Sequence, residues 1–240
     1  MENGTFTHIY HPHNEKLFED ASIDVLIFRY CKDKQLPKHI LVNNQQKYLI
    51  NTNGILTYSD THRHTNTMSD YFDIYVGIVS GRESILKNSS FGNIEVLNGN
   101  NKKDKYILIN EFPTNNTELN NYMLNNKEEL KSRKIRKFND NNWFQWGALR
   151  NIEKMRNYKG KDCIYVHNIT RNDKICFIDK VQYFGGGLLC MIPKNNIDME
   201  DLKKFVNMIN GSEFKKNYMY SNRFKIGHKQ LSNALVSNCI

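Results

Sequence analysis

Proline is scarce in this chain, with four in 240 residues, and apolar runs are short. None approaches the roughly 18 residues that a membrane-crossing helix requires. The five cysteines, Cys31, Cys163, Cys176, Cys190 and Cys239, form no CxxC pair. An odd number at irregular spacing excludes a disulfide framework and is read as free thiols in a reducing, intracellular compartment. The opening "MENGTFTHIYHPHNEK" has neither a basic region nor an apolar stretch, so a secretory signal is not expected. No P-loop, GxGxxG fingerprint or GxSxG elbow occurs. "GGGL" at 185–188 lies between two strand-like runs and opens no helix, which makes it a bulge or tight turn rather than a phosphate cradle. His8, His11 and His13, and the pair His62 and His64, stand in polar sequence without cysteine or carboxylate partners at ligand spacing. No metal site is expected from them.

What is present in excess is positive charge. The formal net charge is +9 and the isoelectric point about 9.2, which suggests a polyanionic partner, nucleic acid first among them. A genome poor in G and C would also raise lysine and asparagine everywhere, so the distribution of the cations has to decide. At 39% hydrophobic and 25% charged residues, the chain is ordinary globular material with enough length for one large domain or two small ones.

Residues 23–30 of "LFEDASIDVLIFRYCKDK" form a nearly continuous apolar run rich in β-branched and aromatic side chains. Such a run reads as a strand buried on both faces inside a parallel sheet. "TFTHIY" before it, and "KHILVN", "KYLINT" and "GILTYSD" after it, are further strand candidates. The polar stretch 60–70, "DTHRHTNTMSD", reads as a linker. Beyond it come a strand at 72–79, a short helix after the Ser-Gly turn, a loop around 99–105, and a strand "YILINEF". A helix is expected over 117–138, with Thr117 as N-cap and cations at its C-terminal end. Residues 162–194 read as a meander. A helix running from Asp198 to Gly211 follows, and then a helix, a basic turn and a last helix.

The cations segregate. Lys131, Arg133, Lys134, Arg136 and Lys137 crowd "KSRKIRKF", which can equally be one solvated helix face. Arg223, Lys225, His228 and Lys229 share "SNRFKIGHKQ". In the second group they alternate with Phe224 and Ile226, so burying the apolar residues presents the cations together. Arg82, Arg150 and Arg171 stand singly at element edges. Arginine suits phosphates and guanine edges because its planar fork donates two parallel hydrogen bonds.

Taken in order, "FEDASIDVLIFRY", "FDIYVGIVSGRESILK", "WFQWGALRNI", "IYVHNITRNDK" and "NRFKIGHKQLSNAL" resemble the C-terminal half of gamma-class, TaqI-like N6-adenine DNA methyltransferases of restriction–modification systems. The resemblance covers essentially the whole chain. It implies an α/β fold: residues 1–64 as the terminal strands of a Rossmann-like methyltransferase sheet, and 65–240 as a mixed α/β target-recognition domain. It also implies double-stranded DNA as a partner, and S-adenosylmethionine bound by a separate N-terminal half or catalytic subunit. Neither the cofactor loop nor an NPPY-type motif occurs in these residues. Adenine N6 is hidden in its base pair, so such enzymes flip the nucleotide and hold the base between aromatic or apolar side chains. The strand end "IFRY" makes Tyr30 the residue implied to stack on the base, with Phe28 as the alternative one register away. Arg82, Arg150, Arg171, Arg223, Lys225, His228 and Lys229 are the expected DNA contacts. The rival reading is a stand-alone DNA-binding protein, a repressor or anti-restriction factor, or an inactive gene remnant.

Overall fold

The structure, a computed structural model, describes residues 4–12, 25–32, 39–52, 54–59, 66–194, 197–220 and 223–236. Strands β1 (Gly4–Tyr10), β2 (Ile27–Lys32), β3 (His39–Val42), β4 (Gln45–Thr52) and β5 (Ile55–Ser59) come first. Then follow α1 (Met68–Tyr71), β6 (Phe72–Val76), α2 (Glu83–Leu86), the hairpin β7 (Ile94–Gly99) and β8 (Lys102–Tyr106), α3 (Thr117–Asn125), α4 (Lys127–Lys131) and α5 (Ile152–Asn157). The last third holds β9 (Asp162–His167), β10 (Ile169–Thr170), β11 (Cys176–Lys180), β12 (Leu188–Pro193), α6 (Met199–Asn210), α7 (Ser212–Lys216), β13 (Met219–Tyr220), β14 (Arg223–Lys225) and α8 (His228–Ser232). The fold is mixed α/β, as expected. Two compact units divide it: one gathers 1–74, 167–176 and 193–240, the other 75–166 and 177–192.

In the first unit a five-stranded sheet runs in the order β2-β1-β3-β4-β5. Only β1 and β3 are parallel; the β1–β2, β3–β4 and β4–β5 pairs are antiparallel. This corrects the reading of a strand buried inside a parallel sheet. β2 lies at the sheet edge, and Ile27, Phe28 and Tyr30 are 55%, 54% and 43% exposed. Residues 23 and 24 of that run lie outside the described residues. α6 follows its sequence signals. Asp198 accepts a hydrogen bond from the Asp201 N–H (2.9 Å) and Gly211 closes the helix. Leu202, Phe205 and Ile209 recur on one face and are buried. Phe205 meets the rings of Tyr71 and Phe72 at 5.2 and 4.7 Å between centroids. The last residues of the expected linker are built into the fold: Met68 is fully buried, and Asp70 accepts hydrogen bonds from the Thr67 N–H and hydroxyl. Its residues 60–65 lie outside the described residues.

The second unit contains most of a four-stranded sheet in the order β11-β9-β12-β6. The two central strands are its apolar spine, Cys163–Val166 and Leu188–Ile192, all buried. An aromatic group of Trp143, Phe144, Trp146 and Tyr106 packs in the same core, and the Trp146 indole N–H donates to Ile107 O at 2.7 Å. Two stretches of this unit, 99–112 and 117–138, depart from their sequence readings, while the turn expected at 185–188 is present. The loop expected at 99–105 is the turn and second strand of the β7–β8 hairpin, and the strand expected from Tyr106 onward ends at Tyr106. The long helix at 117–138 breaks at Asn126 and ends at Lys131. Asn116, not Thr117, caps it by accepting from the Leu119 N–H. "GGGL" is a close-approach turn. Gly185 bridges to Ile78, and any side chain on it would strike the Asn98 amide oxygen.

Candidate nucleic-acid interface

Several expected cations meet in the first unit on the small sheet β10-β14-β13. β10 and β14 are antiparallel, with Ile169 opposite Lys225 and Thr170 opposite Phe224. Extending that register by one residue sets Arg171 across from Arg223. Directly opposed residues of an antiparallel pair project to the same face. Arg171, Arg223, Lys225 and Ile169 therefore share one side of the ladder, while Phe224, 1% exposed, faces the core. The alternation read in "NRFKI" holds: Phe224 and Ile226 are buried, Lys225 is exposed. The turn after β10 adds more charge. Arg171 and Lys174 are exposed there, and Lys215 Nζ donates to Asp173 O at 3.1 Å. Asp173 is the one carboxylate in that turn.

The "basic turn" is therefore a strand pair and not a loop between two helices. His228 does begin α8, but its ring Nε2 is 2.8 Å from Ile74 O, which ties the imidazole to β6. The Gly227 N–H is taken by the Gln230 side-chain oxygen at 2.8 Å. A helix of this length offers no terminal anion site. Lys229 is exposed.

Arg82 and Arg150 belong to the second unit. Arg82 caps the start of α2 and pairs with Glu129 at 3.3 Å, on the surface. Arg150 is exposed in the turn before α5.

The run 131–137 is neither a helix face nor a uniform patch. Lys131 is 3.0 Å from both Asp140 carboxylate oxygens, and Arg136 donates to Gln145 Oε1 and Trp146 O at 3.0 Å. Arg133 is buried. Its guanidinium donates to four carbonyls, those of Leu130, Ser80, Trp143 and Gln145, and lies 3.9 Å over the Phe138 ring. Burial, followed by the nearby Arg136 and Arg82, brings its pKa down to about 10. It still carries its charge at neutral pH, solvated by backbone dipoles instead of a carboxylate. Nothing in the local sequence marks it apart from its neighbours.

Tyr30 and Phe28 stand two residues apart on β2, with ring centroids 5.5 and 5.0 Å from Phe6. The Tyr30 ring closes over Gly4, where a Cβ would fall 2.6 Å from a ring carbon. Phe28, not Tyr30, lines a cavity of about 800 Å³ within the first unit, shared with Phe6, Leu49, Met208, Phe214 and Tyr218. Its wall is mainly apolar and aromatic, with Lys204, Asn207, Glu213 and Lys216 among its polar members. Among the described residues no group of three or more His, Cys, Asp or Glu side chains gathers to hold a metal ion. No helix among them is long and apolar enough to cross a membrane. Compared with known proteins, the chain matches no family model and no curated protein.

Proposed function

We propose that this chain is a sequence-specific duplex DNA-binding module that serves adenine N6 methylation, with the methyl-transfer machinery on a separate N-terminal half or partner chain. The observation that carries the reading is the β10–β14 ladder, which puts Arg171, Arg223 and Lys225 on one face of a basic chain. Two guanidinium forks and an ammonium along one strand pair suit a phosphate backbone. Phosphate contacts set register and orientation, while base edges supply sequence information. The ordered resemblance of five segments to gamma-class adenine methyltransferases supports the same reading and names the reaction.

S-adenosylmethionine does not fit the residues described here. The five-stranded sheet is largely antiparallel, and among the described residues no strand of it runs into a helix whose first turn could cradle the cofactor. The cofactor, which supplies the methyl group, belongs in this reading to the other half. In this chain, Phe28 at the cavity is the better placed of the two aromatic candidates to receive an unstacked base. Tyr30 closes over Gly4 and is not among the residues that line the cavity.

The test is fluorescence anisotropy with a labelled random-sequence duplex over a salt series, comparing the wild type with Arg171→Ala/Arg223→Ala/Lys225→Ala. Each lost phosphate contact should lower the log–log salt slope by about 0.9. A triple variant that binds like the wild type at every salt concentration sinks the ladder as the footprint. Calorimetry with S-adenosylmethionine on the isolated chain should show no binding; micromolar binding overturns the division of labour.

A further inference from the structure

The β7–β8 hairpin has two ends of opposite character. Its root is held in the core. Val96 and Leu97 are buried, the Leu97 N–H donates to Tyr183 O at 2.8 Å, and Leu97 O accepts from the Gly185 N–H at 2.9 Å. On the second strand Tyr106 is buried, and the Ile107 N–H donates to Leu86 O at 2.8 Å. The tip is exposed and polar. Gly99 pairs with Lys102 across the two-residue turn Asn100–Asn101, and Asn100, Asn101, Lys102 and Lys103 are all exposed. Asn101 holds φ at 54°, a left-handed conformation that asparagine tolerates better than most residues.

The charge at this end is one-sided. Asp104 is the carboxylate nearest the tip in sequence, and it is already engaged: Lys87 lies 2.9 Å from one oxygen, and the Asn98 amide donates to the other at 2.7 Å. Although burial opposes it, those partners hold the Asp104 carboxyl below the ordinary range, so it stays ionised and committed inward. Lys102 and Lys103 form no ion pair among the described residues. The tip therefore presents two amides, each a donor and an acceptor, beside two ammonium donors, on a ribbon fixed at its root.

We infer that this tip, Asn100 to Lys103, enters the DNA major groove and reads base edges. The inference rests on the DNA-binding reading above. The major groove, about 12 Å wide, admits a two-stranded ribbon. Asparagine matches the N6/N7 edge of adenine, and lysine matches the O6/N7 edge of guanine. Rigid anchoring matters because a reader must hold its donors in place to discriminate bases. The β10–β14 ladder bears arginines and a lysine on paired strands. The hairpin tip instead concentrates amides on a turn, which suits edge readout better than phosphate contact.

The experiment is selection from a pool of randomised duplexes, with sequencing of the bound fraction, for the full chain and for Asn100→Ala/Asn101→Gly. Glycine at 101 keeps the turn conformation accessible, and unchanged thermal melting of the variant confirms the fold. Expected is a motif for the wild type in which the variant loses at least fivefold enrichment at two or three adjacent positions. Its affinity for the unselected pool should be unchanged. Lys102→Ala/Lys103→Ala should weaken a different adjacent position and lower pool affinity as well. Identical motifs of identical strength for wild type and both variants overturn the inference. Wild-type binding with no motif also overturns it while leaving DNA binding intact, and no wild-type binding to any duplex overturns the DNA reading and the inference together.

Discussion

Two apolar strand runs look alike in sequence and end up in opposite places. The end of "VLIFRY", from Ile27 onward, enters the edge strand β2, with Ile27 and Phe28 more than half exposed. "LLCMIP" becomes β12, between β9 and β6, with Leu188 to Ile192 all buried. Composition sets the preference for extended backbone in both. What differs is the covering of the faces: the faces of β12 are packed in the core, while the Ile27, Phe28 and Tyr30 side chains of β2 stay partly in water, and only covered faces remove apolar area from it. The edge strand also carries Arg29 and Lys32, charges of the kind that blunt strand-to-strand aggregation.

The widest separation between the two strands should appear in stability. Leu188→Ala removes a fully buried side chain and should cost about 2–5 kcal/mol, the range for large-to-small core changes. Ile27→Ala, at a position 55% exposed, should cost less than about 1 kcal/mol. Urea denaturation of both variants decides. Equal losses would mean that β2 is buried in solution by something that covers it.

Arg133 sharpens the contrast from the polar side. Arg133→Met keeps much of the volume but strips the donors from four carbonyls in the core of the second unit. A buried polar group left unsatisfied costs about 1–3 kcal/mol. Partial relaxation and the relief of burying a charge offset the sum, so the expected loss is about 2–4 kcal/mol. Arg133→Lys should recover little, since an ammonium cannot span four carbonyls. Alanine at the exposed Lys134 is the control, with a change inside about 0.5 kcal/mol.

These pairs also show where the sequence was legible. The caps of α6 and the alternation of Phe224 and Ile226 with Lys225 were readable because side chain and backbone signals lie within a few residues of one another. The burial of Arg133 was not, since Ser80, Trp143 and Gln145 reach it from remote segments. The strand Lys102–Tyr106 was read as a loop because lysine and aspartate favour extended pairing poorly. It forms because its partner β7 is anchored in the core by Val96 and Leu97. For the candidate interface, the strand-borne cations were legible one by one. The cross-strand register that joins Arg171 to Arg223 was not, because those residues lie far apart in the chain.

An exposed apolar edge should have a cost in solution behaviour larger than its cost in stability. Ile27→Lys/Phe28→Lys adds two charges to an already charged edge and should change the folding free energy by under about 1 kcal/mol. Sedimentation velocity at rising concentration should show weak self-association of the wild type that the double variant lacks. A wild type that stays strictly monomeric would show that the edge is capped within the chain.

The smallest expected effect is a pH dependence in the first unit. His167 ends β9, where its backbone N–H donates to Ile175 O at 2.9 Å, and burial of its side chain holds the imidazole below its ordinary value of 6.5. A base whose folded-state pKa lies below its unfolded one resists protonation only while folded. Its neutral form is compatible with the fold, so stability is full above the unfolded value. As pH falls below about 6.5 the unfolded chain takes up the proton first, and stability declines until the folded-state value is passed. Because the residue is only partly buried, the decline should be shallow and should flatten in His167→Gln. Melting temperatures measured from neutral to mildly acidic pH test this. Parallel curves for wild type and variant would mean that the side chain reaches water freely, and that the acid sensitivity of the chain comes from its carboxylates.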